Sequence, residues 1–214
     1  DIDKAVDGAM VSKFRNSGQT CVCANRIYVQ SGVYEKFVTK FKDATAKMKV
    51  GDGREAGVEQ GPLIDMSAVE KVEELLSDAV GKGAKVVLGG KRHEKGETFF
   101  EPTIVTDATQ SMRFSKEEIF GPLAPVFKFE TEDEAIKMAN DTDFGLCSYA
   151  YTRDVGRIMR LNSKLEYGMI GINSGLITTV EAPFGGVKES GLGKEGGSQG
   201  LEDYLDTKYT ALDF

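Results

Sequence analysis

Val69-Glu70-Lys71-Val72-Glu73-Glu74-Leu75-Leu76-Ser77-Asp78-Ala79-Val80-Gly81-Lys82-Gly83-Ala84-Lys85-Val86-Val87-Leu88 is the stretch that decides the fold class. Val69, Val72, Leu75, Leu76 and Ala79 recur at the spacing of one helix face, Gly81 and Gly83 stop the helix, and Lys85–Leu88 reads as a short buried strand. The alternation continues in both directions. Upstream, Ile2, Val6, Ala9, Met10 and Phe14 fit a helix, Arg26–Gln30 a strand, and Val33, Phe37, Val38, Phe41 and Ala44 a helix that stops near Gly51. Downstream, Glu101–Val105 and Pro125–Phe129 read as strands, and Ala135, Ile136, Met138 and Ala139 as a helix. Ser148–Thr152 then reads as a strand, Val155–Leu165 as a helix and Gly168–Asn173 as a strand. Strands separated by helices need crossover connections, so the predicted class is α/β with a doubly wound, mostly parallel sheet. No Ser/Pro-rich linker or repeat divides the chain. One domain is expected over 1–196, followed by a tail, 197–214, whose Tyr204, Leu205, Tyr209 and Leu212 suit an oligomer interface.

The 214 residues carry 27 Lys and Arg against 34 Asp and Glu, a net charge of −7. That balance offers no basic face for phosphate, so neither nucleic acid nor an anionic membrane is expected as a partner. No apolar run approaches the ~20 residues of a membrane span, and Asp1-Ile2-Asp3-Lys4 has no signal-peptide pattern. Cys21, Cys23 and Cys147 make no disulfide framework, which points to reduced thiols in an intracellular protein, with the cytoplasm favoured slightly over the mitochondrion. His93 is the only histidine and sits in the charged run Lys91–Lys95, where a solvated loop residue is expected. With so few ligands, no metal site is expected. Gly191-Leu192-Gly193-Lys194-Glu195-Gly196 fits G-x-G-x-x-G, but it follows no strand and opens no helix, so it reads as a turning loop rather than a phosphate cradle.

The chemistry concentrates in Phe14-Arg15-Asn16-Ser17-Gly18-Gln19-Thr20-Cys21-Val22-Cys23-Ala24-Asn25-Arg26. A helix ends near Asn16, a polar turn follows, and a cysteine comes just before a strand. Loops held by rigid elements commonly carry catalytic groups. On composition alone Cys21 reads equally as a small buried hydrophobe, because reactivity needs a lowered pKa or a base from elsewhere.

Gly18-Gln19-Thr20-Cys21 resembles the active-site segment of the aldehyde dehydrogenase superfamily. Three further segments agree in order and spacing: Gly61-Pro62-Leu63-Ile64-Asp65, Glu117-Glu118-Ile119-Phe120-Gly121-Pro122, and Pro183-Phe184-Gly185-Gly186-Val187-Lys188-Glu189-Ser190-Gly191. The resemblance implies that Cys21, as thiolate, attacks an aldehyde carbon to give a thiohemiacetal. Transfer of hydride to NAD or NADP then leaves a thioester for water to hydrolyse. It implies Glu118 at the nicotinamide ribose, Phe120 beside the nicotinamide, Lys71 at the adenosine ribose and Phe184 in a substrate tunnel. It also places the family's amino-terminal cofactor domain, its glutamate base and the amide that completes the oxyanion hole outside these residues. The 214 residues alone are therefore expected to lack full activity.

Within the superfamily the chain is most similar to succinate-semialdehyde dehydrogenases, through the 14–23 run, Gly171–Ile177 and Glu202–Leu205. Arg15 matches the guanidinium that this subfamily offers to the substrate's distal carboxylate, a pairing that suits a fork of N–H donors. Thr178 or Thr179 matches its substrate-binding hydroxyl. The expected substrate is thus a small aldehyde that bears a carboxylate, and a homodimer or tetramer is implied. Similarity to members with a redox-sensitive loop adds Cys21 and Cys23 as a candidate disulfide pair. The alternatives are another semialdehyde or aliphatic aldehyde dehydrogenase, or a truncated, non-catalytic assembly piece.

Overall fold

The computed structural model describes residues 1–214. Helix α1 (Ile2–Phe14) opens at Asp1, whose carboxylate accepts the Lys4 N–H at 3.1 Å. A tight turn, Arg15–Gly18, is followed by strand β1 (Ile27–Gln30) and helix α2 (Tyr34–Thr45). Helix α3 (Met66–Gly81) is capped by Asp65, which accepts from Ala68 N at 2.9 Å. Strands β2 (Lys85–Leu88), β3 (Thr103–Ala108) and β4 (Leu123–Phe129) come next, then α4 (Glu132–Asn140). The remainder holds β5 (Phe144–Gly145), β6 (Cys147–Ala150), α5 (Val155–Lys164), β7 (Met169–Ile172) and β8 (Val187–Lys188). No helix is long and apolar enough to cross a membrane.

The main sheet has the order β1-β4-β3-β2, with β1, β4 and β3 parallel and β2 antiparallel on β3. β6 and β7 form a separate parallel pair, and β5 and β8 an antiparallel one. The architecture is α/β and mostly parallel, as the sequence predicts. Side chains alternate across β3 and β4, so each strand feeds two layers. Val105, Leu123 and Phe127 join Val72, Leu75 and Leu76 of α3, whereas Ile104, Ala124 and Val126 join Val6 and Phe14 of α1 and Phe37 and Phe41 of α2. Full burial of each large side chain stabilises by about 1.5–3 kcal/mol, and Phe114 adds an edge-on contact to Phe127 at 5.9 Å between centroids.

Several expectations need correction. β2 is not buried: Val86 is 39% exposed on an antiparallel edge. An apolar run of this length looks the same in sequence whether it ends up central or at the edge. The next strand starts at Thr103 rather than Glu101, and the 148–152 strand is displaced to Cys147–Ala150. The Gly185–Ser190 segment contains β8, a two-residue ladder on β5 too short to leave a periodicity. His93 is half-buried, its Nδ1 accepting from Lys95 N at 3.2 Å. Gly191, Gly193 and Gly196 all have positive φ in irregular backbone, which matches the turning-loop reading. Buried apolar side chains stop at Ile136, so β6, α5 and β7 contribute none to the closed core.

Candidate active site

Helix α1 delivers the chain into consecutive left-handed residues, Asn16 (φ 52°), Ser17 (φ 59°) and Gly18 (φ 75°). Such a conformation costs a non-glycine residue roughly 1–2 kcal/mol, and hydrogen bonds offset it. Asn16 Nδ2 donates to Gln19 O and Ser17 Oγ to Gly61 O, each at 2.9 Å. Glycine is required at 18 on two counts, the positive φ and a Cβ that would overlap the Gly121 carbonyl oxygen. The Gln19 side chain donates to Pro62 O at 3.3 Å and accepts from Ile64 N at 2.9 Å. The Gly18–Cys21, Gly61–Asp65 and Glu117–Pro122 segments, far apart in sequence, therefore meet at this turn. Cys21 stands exposed beyond it.

Asn25 locks the Glu118 segment from both sides. Its Nδ2 donates to Phe114 O at 2.9 Å and to Glu117 O at 3.0 Å, and its Oδ1 accepts from Ile119 N at 2.8 Å. No sequence pattern marks this role, because a lone amide before a strand says nothing of partners about ninety positions away. Glu118 is exposed, makes no ion pair, and opens onto the same cavity as Cys21 and Cys23, a space of about 840 Å³. Phe120 has φ 51° and is 38% exposed. A bulky residue in that region is a steric outlier of the kind that clusters at functional sites. Arg113 binds Glu117 bidentately, at 2.7 and 2.9 Å, and holds its carboxyl below the usual range, with the charge of Lys71 on α3 adding a smaller pull.

The three cysteines are free thiols in different settings. Lys13 is fully buried, and its Nζ lies 3.4 Å from Cys23 Sγ. Cys147 lines the cavity wall, half-buried. Burial pushes its thiol up to about 11, and Tyr149, whose hydroxyl donates to Val22 O at 2.8 Å, lies beside it. Neither Lys13 nor Tyr149 carries a sequence signal: each reads as an ordinary helix lysine or strand aromatic.

The remaining candidates lie outside that cavity's lining. Arg15 is exposed at the end of α1, close enough for its charge to act on the Tyr149 hydroxyl. Thr178 and Thr179 are exposed in the loop after β7, where Thr179 Oγ1 donates to the Glu181 carboxylate. Phe184 is half-buried and pairs through its backbone with Glu195, at 2.6 and 2.7 Å. Ser190 Oγ accepts from Gly145 N at 2.9 Å and so ties the fourth segment to β5. The structure thus unites Cys21, Cys23 and Glu118, with Phe120 beside the shared turn, and leaves Arg15, Thr178, Thr179, Phe184 and Lys71 outside the lining they share. Cys21 precedes β1 and Glu118 precedes β4, so the site lies at the amino ends of parallel strands. Open α/β sheets usually bind ligands at the opposite ends.

The model of the aldehyde dehydrogenase family matches residues 1–210. Over 212 residues, 99% of the chain, the sequence is 62% identical to the glutarate-semialdehyde dehydrogenase of Pseudomonas aeruginosa and 57% identical to the NADP(+) succinate-semialdehyde dehydrogenase GabD of Escherichia coli. The crystal structure of succinate-semialdehyde dehydrogenase from Burkholderia pseudomallei, 55% identical, superposes with a TM-score of 0.94 over 95% of this chain and 42% of that one. The chain spans 44% of the length of those two curated relatives. With three of the family's ordered segments gathered at the turn that carries one cysteine, and the family model covering nearly every residue, the chain belongs to the aldehyde dehydrogenase family.

Proposed function

We propose that the enzyme containing this chain oxidises a semialdehyde with a distal acid group, succinic semialdehyde first among them, to the dicarboxylate with NAD or NADP. The observation that carries this reading is the exposed Cys21 on a turn braced by Gly61–Ile64 and Gly121, facing the same cavity as Glu118. Cys21 attacks the aldehyde carbon as thiolate, and its backbone N–H donates to the developing oxyanion. Glu118, exposed and free of ion pairs, suits a ribose diol, while Phe120 and Lys71 are the further contacts assigned to the dinucleotide. When bound, the nicotinamide supplies the hydride acceptor that turns the thiohemiacetal into a thioester. Water then frees Cys21 and releases the acid.

Arg15 is assigned the substrate's distal carboxylate, Thr178 or Thr179 a hydrogen bond to it, and Phe184 the tunnel wall. The two relatives named above act on semialdehydes of glutarate and succinate, both acid-bearing, which supports the charge of the tail more firmly than its length. The tail 197–214 is assigned to an oligomer interface, since Tyr204, Leu205, Tyr209 and Leu212 are 70–89% exposed.

The test is kcat/KM of the full-length enzyme on succinic semialdehyde, glutaric semialdehyde and butanal. A preference of two decades for the acids over butanal, about 2.7 kcal/mol of transition-state binding, lost on Arg15→Ala, is the expected result. Equal rates on all three would remove the acid-bearing substrate.

A further inference from the structure

Cys21 sits in the middle of a β-turn. The Cys23 N–H donates to Thr20 O at 3.0 Å and closes the turn over Cys21 and Val22. The turn is pinned again where it leaves, by Ala24 N donating to Ser12 O at 3.0 Å. Val22 is buried, and no backbone N–H donates to its carbonyl. That oxygen accepts instead from the Tyr149 hydroxyl at 2.8 Å, a bond that reaches from β6 across 127 positions. Cys147 Sγ, on the same strand, lies 3.7 Å from the same oxygen.

These contacts join in series. The Val22 carbonyl and the Cys23 N–H belong to one peptide group, and the Thr20 carbonyl and the Cys21 N–H to another. In a trans peptide the N–H points opposite to the C=O, so a donor at one end polarises the other. The Tyr149 hydroxyl donates to the Val22 carbonyl, and the N–H of that peptide donates to the Thr20 carbonyl. The N–H of the second peptide, on Cys21, then points out of the turn, where no group of the chain accepts it. Burial pushes the pKa of the Tyr149 hydroxyl up, against a smaller pull from the charge of Arg15, so the hydroxyl keeps its proton and stays a donor.

We propose that Tyr149 is a positioning residue for the reaction at Cys21: its hydroxyl orients and polarises a relay of peptide groups that ends at the Cys21 N–H, the donor to the oxyanion. This role rests on the reading of Cys21 as the nucleophile. Hydrogen bonds in a chain strengthen one another by about 10–30% each, and one oxyanion donor is worth about 10²–10³ in rate. One such increment at the Cys21 N–H is an effect of about two- to eightfold. A hydroxyl that only satisfies a buried carbonyl has no such reach into the rate.

The test uses the full-length enzyme and the pre-steady-state rate of NAD(P)H formation with succinic semialdehyde. It compares Tyr149→Phe with enzymes in which Tyr149 is replaced by 3-fluorotyrosine or 3,5-difluorotyrosine. Fluorine makes the phenol a stronger donor, and the upward push of burial keeps it protonated at neutral pH. The expected results are a loss of about two- to eightfold or more in Tyr149→Phe, and a rate that rises from tyrosine to the monofluoro and then the difluoro form. Alkylation of Cys21 by iodoacetamide, which develops no oxyanion at that N–H, should stay within about twofold of the parent in every variant. A rate that is flat or falls along the fluorinated series would overturn the relay. So would a loss in Tyr149→Phe matched by an equal loss of Cys21 alkylation, the mark of a disordered turn. An equal rate loss in Tyr34→Phe, which removes a buried phenol bonded to Val126 O at 3.3 Å, would do the same. If Tyr149→Phe does not fold, the fluorinated series decides alone, because each member keeps the hydroxyl. Failure of the underlying reading looks different: Cys21→Ala would then form NAD(P)H at the parent rate, whatever residue stands at Tyr149.

Discussion

Replacing Asn25 tests whether the cysteine turn and the Glu118 segment are held together as a unit. The side chain makes three hydrogen bonds, to Phe114 O, Glu117 O and Ile119 N, all at 2.8–3.0 Å and partly buried. A net contribution near 1 kcal/mol for each bond makes Asn25→Ala about 3 kcal/mol destabilising. Asn25→Asp keeps the shape and the acceptor but loses both donors, and it sets a carboxylate against two carbonyl oxygens, so about 2 kcal/mol is expected. Losses of that size are a large part of a domain's margin. Urea unfolding reads them as a fall in midpoint at constant slope. In the full-length enzyme, Asn25→Asp is further expected to raise KM for NAD(P), because Glu118 loses the brace on either side of it. If both variants stay within 0.5 kcal/mol of the parent, the three-bond clamp does not hold the segment and the reasoning fails.

Gly18→Ala places a Cβ on the Gly121 carbonyl in a left-handed conformation. At least 1–2 kcal/mol of destabilisation and a tenfold or greater loss of activity in the full-length enzyme are expected, measured by unfolding and steady-state rate; a neutral substitution would mean the two segments are not packed as described. Cys147 is held as the neutral thiol with its pKa pushed up to about 11, so its alkylation by iodoacetamide should rise about tenfold per pH unit between 8 and 10 and remain slower than that of exposed Cys21 at pH 8. The unfolded thiol ionises near ~8.5, so the folded state binds more protons between there and about 11 and loses stability as pH rises through that window. Cys147→Ala should shrink the alkaline decline in Tm. Hydrogen bonds from Arg160 and Arg157 pull Glu132 down to about 2. The unfolded state then binds more protons between about 2 and 4.5, and stability falls as pH drops through that range. Glu132→Gln should flatten the acid decline in Tm, and added salt should weaken the difference.

How far the sequence reaches can be read from particular residues. The periodicity of Val69, Val72, Leu75, Leu76 and Ala79 fixes α3 because an amphipathic helix is specified by its own side chains. The fate of Lys85–Leu88 is settled by what pairs with it, and a run of valines carries no record of its neighbours. The same divide runs through the site. Cys21 and Glu118 were legible because each lies in a short segment with a family pattern, whereas Asn25 and Tyr149 act across long separations that no local pattern encodes.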